Sequence, residues 1–222
     1  MQTLVIDVGG TNVKFLVSGQ SEARKVPSGP DLTPQLMVTE VLANLQDWRY
    51  DRVTIGFPTP IAHGKALREP VNLGPGWVDF NFEEAFSKPV KLVNDAALQA
   101  IGSYEGGKML FLGLGTGLGS AMVVDQLVIP LELAHLPYRK KKTYEDYVGQ
   151  RGMEWLGKDK WQKTVVDVVT LLKAAMVADY VVLGGGNSKK LEPWPEIARR
   201  GSNANAFLGG FRLWDEADWR LP

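Results

Sequence analysis

Residues 4–17 read LVIDVGGTNVKFLV, and residues 109–124 read MLFLGLGTGLGSAMVV. Each is an apolar run, a glycine turn and a second apolar run. Setting Asp7 against Gly113 aligns Gly9 with Gly115. A glycine turn that cradles phosphate commonly leads from a strand into a helix. Here both turns lead from strand to strand, which is the pattern of an antiparallel hairpin. The bland reading is two unrelated hairpins. The reading that uses the repeat is a duplicated unit: two α/β lobes, each opening with a hairpin, their turns facing one cleft. Glycine turns leave backbone N–H groups unblocked, and such groups suit phosphate oxygens.

The rest of the chain fits an α/β protein. Period-two or continuous apolar runs predict strands over residues 3–8, 12–17, 23–27, 53–57, 90–93, 110–114, 119–124, 127–129 and 180–183. Helical spacing covers residues 32–45, 95–104, 144–156, 158–176 and 203–210. Residues 58–77 hold four prolines and three glycines and read as loop. Lys and Arg total 25 and Asp and Glu total 25, so the chain is neutral overall. That argues against nucleic acid as its partner. There is no cysteine, hence no disulfide and no thiolate metal site, which fits a reducing, cytoplasmic setting. No signal-peptide pattern precedes the first strand, and no apolar run approaches a membrane span.

Five motifs follow in order: DVGGTNVK at residues 7–14, VNDA at 93–96, GLGTGLGSA at 113–121, ELAH at 132–135 and VLGGGNSKK at 182–190. Together they resemble the ROK sugar kinases of the actin-like ATPase superfamily, and within them the polyphosphate glucokinases. Any one glycine motif only marks a tight turn. Five in order span about four fifths of the chain. Most ROK kinases carry a cysteine-rich zinc loop after the histidine. Here that region reads LPYRKKKTYEDYVG, as in the polyphosphate glucokinases, which also lack it.

The resemblance implies an actin-like (ribonuclease H-like) fold with an N-terminal lobe over residues 1–95 and a C-terminal lobe over 96–222, the last helix packing back on the first lobe. It implies a hexokinase-type transfer of a phosphoryl group from polyphosphate or ATP to a hexose, glucose first among them. Asp95 would be the general base that accepts the hydroxyl proton. Asp7 would hold Mg²⁺, in part through water. Gly9, Gly10, Thr11, Lys14, Gly115, Thr116 and Gly117 would meet phosphate, and Gly184, Gly185 and Gly186 the far end of the donor. Asn72, Asn94, Asp95, Glu132, His135 and Glu145 would read the sugar hydroxyls. Ala134 stands where the family usually has glycine, and the match is thinnest after Lys190.

No zinc is expected, and a homodimer is the family's usual state. Each assignment has a plainer counterpart: Asp7 as a turn cap, Asn94 and Asp95 as helix caps, Glu145 as a surface residue, and Gly184–Gly186 as a strand-to-helix turn. The basic run Arg139–Lys142, with Lys158, Lys160, Lys163, Lys189 and Lys190, reads either as a solvated face or as a track for polyphosphate. A non-catalytic, sugar-sensing relative is the alternative. DNA-binding repressors of the family open with a helix-turn-helix, whereas this chain opens with the phosphate hairpin.

Overall fold

A computed structural model describes residues 1–202, 204–215 and 219–221. It contains two five-stranded mixed sheets. The first comprises β1 (Thr3–Val8), β2 (Asn12–Val17), β3 (Arg24–Pro27), β4 (Arg52–Phe57) and β5 (Val90–Asn94). The second comprises β6 (Lys108–Leu114), β7 (Leu118–Val124), β8 (Leu127–Leu131), β9 (Tyr180–Gly184) and β10 (Ala198–Arg200). The spatial orders are β3-β2-β1-β4-β5 and β8-β7-β6-β9-β10, so the sheets are topological copies. In each, the first three strands are an antiparallel meander and the last two join in parallel.

The registers agree as well. Asp7 lies beside Gly56 of the next parallel strand, and Gly113 beside Gly184. The weak repeat in sequence is therefore a full repeat in three dimensions. Its central strands are buried on both faces, which explains why they read as near-continuous apolar runs.

The helices are α1 (Pro34–Ala43), α2 (Phe82–Phe86), α3 (Asp95–Ser103), α4 (Tyr144–Val148), α5 (Gln150–Leu156), α6 (Lys158–Ala175) and α7 (Asn205–Asp215). Local chemistry starts several of them. Thr33 caps α1 and Pro34 follows inside its first turn. A capping box of Thr143 and Asp146 starts α4. Among the described residues no helix is long and apolar enough to cross a membrane.

Four departures from the sequence expectations stand out, and the first two have tertiary causes. Residues 144–156 form two helices, because the chain turns extended at Gly149. There the Gln150 N–H donates to the Gly115 and Thr116 carbonyls of the second glycine turn rather than continuing the helix. Strand β10 went unforeseen: its three residues carry no periodicity and form an edge by pairing with Val181–Leu183. Helix α2, five residues long, lay in a stretch given no element. The final helix runs from Asn205 to Asp215, five residues past its expected end; Asn203 lies outside the described residues.

One core cluster packs α1 and α2 on the first sheet, and a second packs α4 and α6 on the other. Trp77 belongs to the first, stacked on Phe57 at 4.6 Å between centroids. The third cluster joins the two sheets through α3 and α7: Val5 and Val93 from one side, Met109, Phe111 and Val182 from the other. Helix α7 also reaches the first sheet by hydrogen bonds. Thr54 donates to the Gly210 carbonyl at 2.9 Å, Trp214 donates to Thr54, and Lys91 donates to the Leu213 carbonyl.

Helices α3 and α7 approach at glycine. A Cβ at Gly102 would lie 1.9 Å from the Asn205 carbonyl oxygen, and one at Gly209 would lie 2.0 Å from that of Leu98. Gly209→Ala sets two effects against each other. Helix propensity favours alanine by about 0.8–1 kcal/mol. The overlap is with backbone, which cannot swing aside, and overpacking typically costs about 1–3 kcal/mol or more. The overlap should win, and Gly209→Ala should lower the urea midpoint of unfolding. A midpoint equal to or above the parent's would show that the helices are not held at this contact.

Candidate active site

Both glycine turns line one cleft of about 340 Å³ between the sheets. Gly9 and Gly10 form part of one wall, and Gly115, Thr116 and Gly117 part of the other. In the first turn the Gly9 N–H donates to the Asn12 carbonyl at 3.1 Å, closing the hairpin. In the second, Gly115 N–H donates to Gly117 at 3.1 Å. That turn is braced from behind: Asn187 Nδ2 donates to the Gly115 carbonyl at 2.8 Å and to Gln150 Oε1 at 3.1 Å. Fixed carbonyls behind a turn keep its geometry set in advance of any ligand.

Helix α3 begins at the floor of this cleft. Asn94 is its N-cap, and its Oδ1 accepts from the N–H of Ala96 and of Ala97, each at 3.1 Å. Its Nδ2 donates to the Thr59 carbonyl at 3.2 Å, which leaves one amide N–H for any other partner. Asp95 follows, with Oδ1 accepting from the Ala96 N–H at 2.8 Å. Capping and cleft exposure coexist here, because α3 points its N-terminus at the space between the turns. The second hairpin is close by: a Cβ on Gly119 would sit 3.1 Å from that of Ala96.

The electrostatics single out Asp95. Its carboxyl is pushed up to about 7, first by burial and then by the nearby negative charge of Asp7, with Glu132 adding a little. The Ala96 N–H pulls in the opposite direction. Asp7 is itself raised by burial, and Lys14 opposes the shift. The hairpin register explains Lys14, which is the direct cross-strand partner of Asp7. Asp7, Thr11 and Lys14 themselves do not line the cleft surface.

The remaining expected residues divide. Asn72, Glu132, His135 and Glu145 all line the cleft. Asn72 stands over the first turn: a Cβ on Gly10 would be 3.6 Å from its own. Glu145 lies over the second turn, where a Cβ on Gly117 would strike its Oε2 at 2.0 Å. Glu132 and His135 form a pair at 3.2 Å. Of Gly184–Gly186 only Gly185 reaches the cleft. Gly184 is small because Phe111 packs against it; an added Cβ would be 2.6 Å from the ring.

Sequence reasoning missed several contributors. Arg68 lines the cleft and reaches Glu132 at 3.7 Å, bridging the proline-rich loop to the other wall. Glu69 ties that loop down, accepting from the N–H groups of Gly76, Trp77 and Val78 at 3.1–3.3 Å. Gln99 also lines the cleft. Nothing in the local sequence marks these three. Asn187 carried a weak signal, since it directly follows the triple glycine.

Among the described residues no three His, Asp or Glu side chains gather at one point. The donor set near the turns is two carboxylates, Asp7 and Asp95. That suits a hard cation that keeps most of its waters and takes further oxygens from a phosphate chain, and it does not form a closed cage.

No protein-family model matches the chain. The polyphosphate glucokinase of Mycobacterium tuberculosis is 27% identical over 215 residues, covering 85% of this chain and 79% of that protein. Among solved structures, the inorganic polyphosphate/ATP-glucomannokinase from Arthrobacter sp. strain KM superposes with a TM-score of 0.79 at 23% identity, covering 94% of this chain and 96% of that one. A ROK family glucokinase from Streptomyces griseus, in complex with glucose and AMPPNP, gives 0.75 at 15% identity, covering 96% and 99%. At these identities the structural likeness is one of fold.

The raised carboxyl of Asp95 has a consequence for stability. Well above pH 7 the folded protein holds it as a buried charge, which the unfolded chain holds in water. As pH falls through about 7 the folded group takes up a proton and the penalty shrinks, vanishing near the ordinary carboxylate range. In EDTA, Asp95→Asn should therefore raise the melting midpoint, and by more at pH 8 than at pH 5. Calorimetry showing the same shift at both values, or a lowered midpoint, would contradict this.

Proposed function

The chain belongs to the ROK family of sugar kinases, and on that premise we propose that it transfers a phosphoryl group from polyphosphate or ATP to a hexose, glucose being the favoured acceptor. The observation that carries the proposal is the placement of Asp95. A carboxylate pushed up to about 7 stands at the N-terminus of a rigid helix, between two glycine turns and beside a set of polar sugar-reading groups. A base with a pKa near the working pH combines a populated basic form with a useful driving force for proton transfer.

In this reading the hexose lies against Asn72, Glu132, His135 and Glu145, with the free N–H of Asn94 offered to a hydroxyl. Asp95 takes the proton of the hydroxyl that attacks the phosphoryl group. The N–H groups of Gly10, Thr116 and Gly117 hold the phosphate oxygens from both sides, while Gly9 and Gly115 close their turns and keep the backbone bare, with the Thr11 hydroxyl at the rim. Gly185 lets the donor approach the backbone. Lys14 balances Asp7 across the hairpin. Asp7 would hold Mg²⁺, which when bound supplies positive charge to the phosphates. Several matched relatives are named for glucose, and those named for polyphosphate carry the donor proposal.

The basic run divides in this structure. Arg139 is engaged by Asp167 at 2.9 Å, whereas Lys140 and Lys141 form the tip of a small hairpin. Only Lys140–Lys142 are then offered as a polyphosphate contact.

The test is a coupled assay of purified protein against a hexose panel, run with ATP and with polyphosphate separately. Activity on glucose with at least one donor is expected. Asp95→Asn should lower turnover by about 10²–10⁴-fold while sparing hexose binding, because asparagine keeps the hydrogen bond and cannot take the proton. Asp7→Asn should instead be partly rescued by added Mg²⁺. Absence of activity across the panel, or an Asp95→Asn enzyme with more than about a tenth of parental turnover, would reject the reading.

A further inference from the structure

Gln99 is a polar side chain with no evident task in the fold. It sits on α3 four residues after Asp95, hence on the same helix face and one turn deeper. It lines the cleft, yet its Oε1 is buried and accepts no hydrogen bond from the protein. A buried carbonyl left unpaired is disfavoured by roughly 1–3 kcal/mol, so such groups call for an explanation. The wall it faces is glycine: a Cβ on Gly184 would lie 3.3 Å from Oε1. Next to it, Gly185 holds a left-handed φ of 79°, with the Leu114 backbone 2.3 Å from where its Cβ would be. Side chains are thus absent beside this carboxamide, whose buried Oε1 lacks a protein partner.

We propose that Gln99 is a binding residue for the phosphoryl donor: its carboxamide hydrogen-bonds a phosphate oxygen where the donor passes Gly185. This rests on the kinase reading and adds a residue to the donor half of the cleft. A carboxamide suits the position because it donates through Nε2 and carries no charge. A half-turn about its last torsion exchanges nitrogen and oxygen, so the amide can present its N–H groups to an anion. A lysine there would add a cation beside Asp95 and weaken its action as a base by holding it ionised. A glutamate would repel both Asp95 and the donor.

Two variants separate a binding role from a structural one. Gln99→Met keeps the length and removes the hydrogen-bonding atoms. Gln99→Glu keeps the shape and adds a negative charge. The probe is inorganic tripolyphosphate with Mg²⁺, its affinity read by calorimetry, alongside donor and hexose KM values and the melting midpoint of ligand-free protein. Gln99→Met should weaken tripolyphosphate about tenfold, the scale of a hydrogen bond to a charged group. It should raise donor KM likewise, leave hexose KM within about twofold and hold or raise the melting midpoint, since a buried unpaired oxygen is gone. Gln99→Glu should lose more donor affinity than Gln99→Met. Unchanged tripolyphosphate affinity in both variants, or a lowered midpoint with unchanged donor KM, assigns Gln99 a structural role and overturns the proposal. A change in hexose KM alone also overturns it. If the parent protein binds tripolyphosphate but phosphorylates no hexose, the kinase reading fails while the Gln99 assignment is still decided by the calorimetry.

Discussion

The close crossing of α3 and α7 is the contact on which the rest of the molecule depends. Among the described residues no strand of one sheet pairs with a strand of the other. The sheets are joined by α3, whose alanine-rich faces touch both, and by α7, which rides on α3 at Gly102 and Gly209 and reaches the first sheet at Thr54 and Val5. Backbone-to-backbone approach at this distance excludes any side chain. It also constrains the rotation and depth of α3 against α7. The same helix carries Asn94, Asp95 and Gln99 at its cleft end. A packing decision made between residues 102 and 209 therefore sets where the carboxylate stands, some two helical turns away.

Around that fixed element the duplicated hairpins do unequal work. The first is closed by its own backbone and balanced by Lys14 across from Asp7. The second has no charged partner in register, since Gly113 faces Gly119. It is stiffened instead from outside, by Gln150 and Asn187 bonding to its carbonyls. That brace interrupts what would otherwise be one continuous helix. The broken helix and the rigid turn are two sides of one arrangement, and both place Glu145 above Gly117.

Charge is arranged with similar asymmetry. Asp7 lies near enough to disfavour the ionisation of Asp95, and burial raises both carboxyls. A protein that serves stability alone would replace one of them. Holding both is favourable where positive charge or a proton is received, as the proposed phosphoryl transfer would supply. Arg68, Glu132 and His135 form a partly exposed polar cluster in the same cleft, where solvent screens the pairs.

Much of this was legible in the residues themselves. Strands β1 and β2 were readable to their ends, because an apolar period of two around Gly9-Gly10 admits little else. The equivalence of Asp7 with Gly113 was readable too, as was Asp95 at a helix start, whereas the loop expected before Trp77 contains a short strand pair of Ile61–Ala62 with Lys65–Ala66. The readable features are local facts: periodicity, caps and turns are written in neighbouring residues. The tertiary structure decided what neighbours cannot specify. It broke residues 144–156 at Gly149, because the partners of Gln150 come from a turn more than thirty positions earlier. It paired the featureless Ala198–Arg200 as an edge strand, committed Asn94 to a cap, placed Arg68 beside Glu132, and left Gln99 buried without a partner. Each is a contact between segments far apart in the chain, and the geometry of such contacts exists only once α3 and α7 have brought the two sheets together.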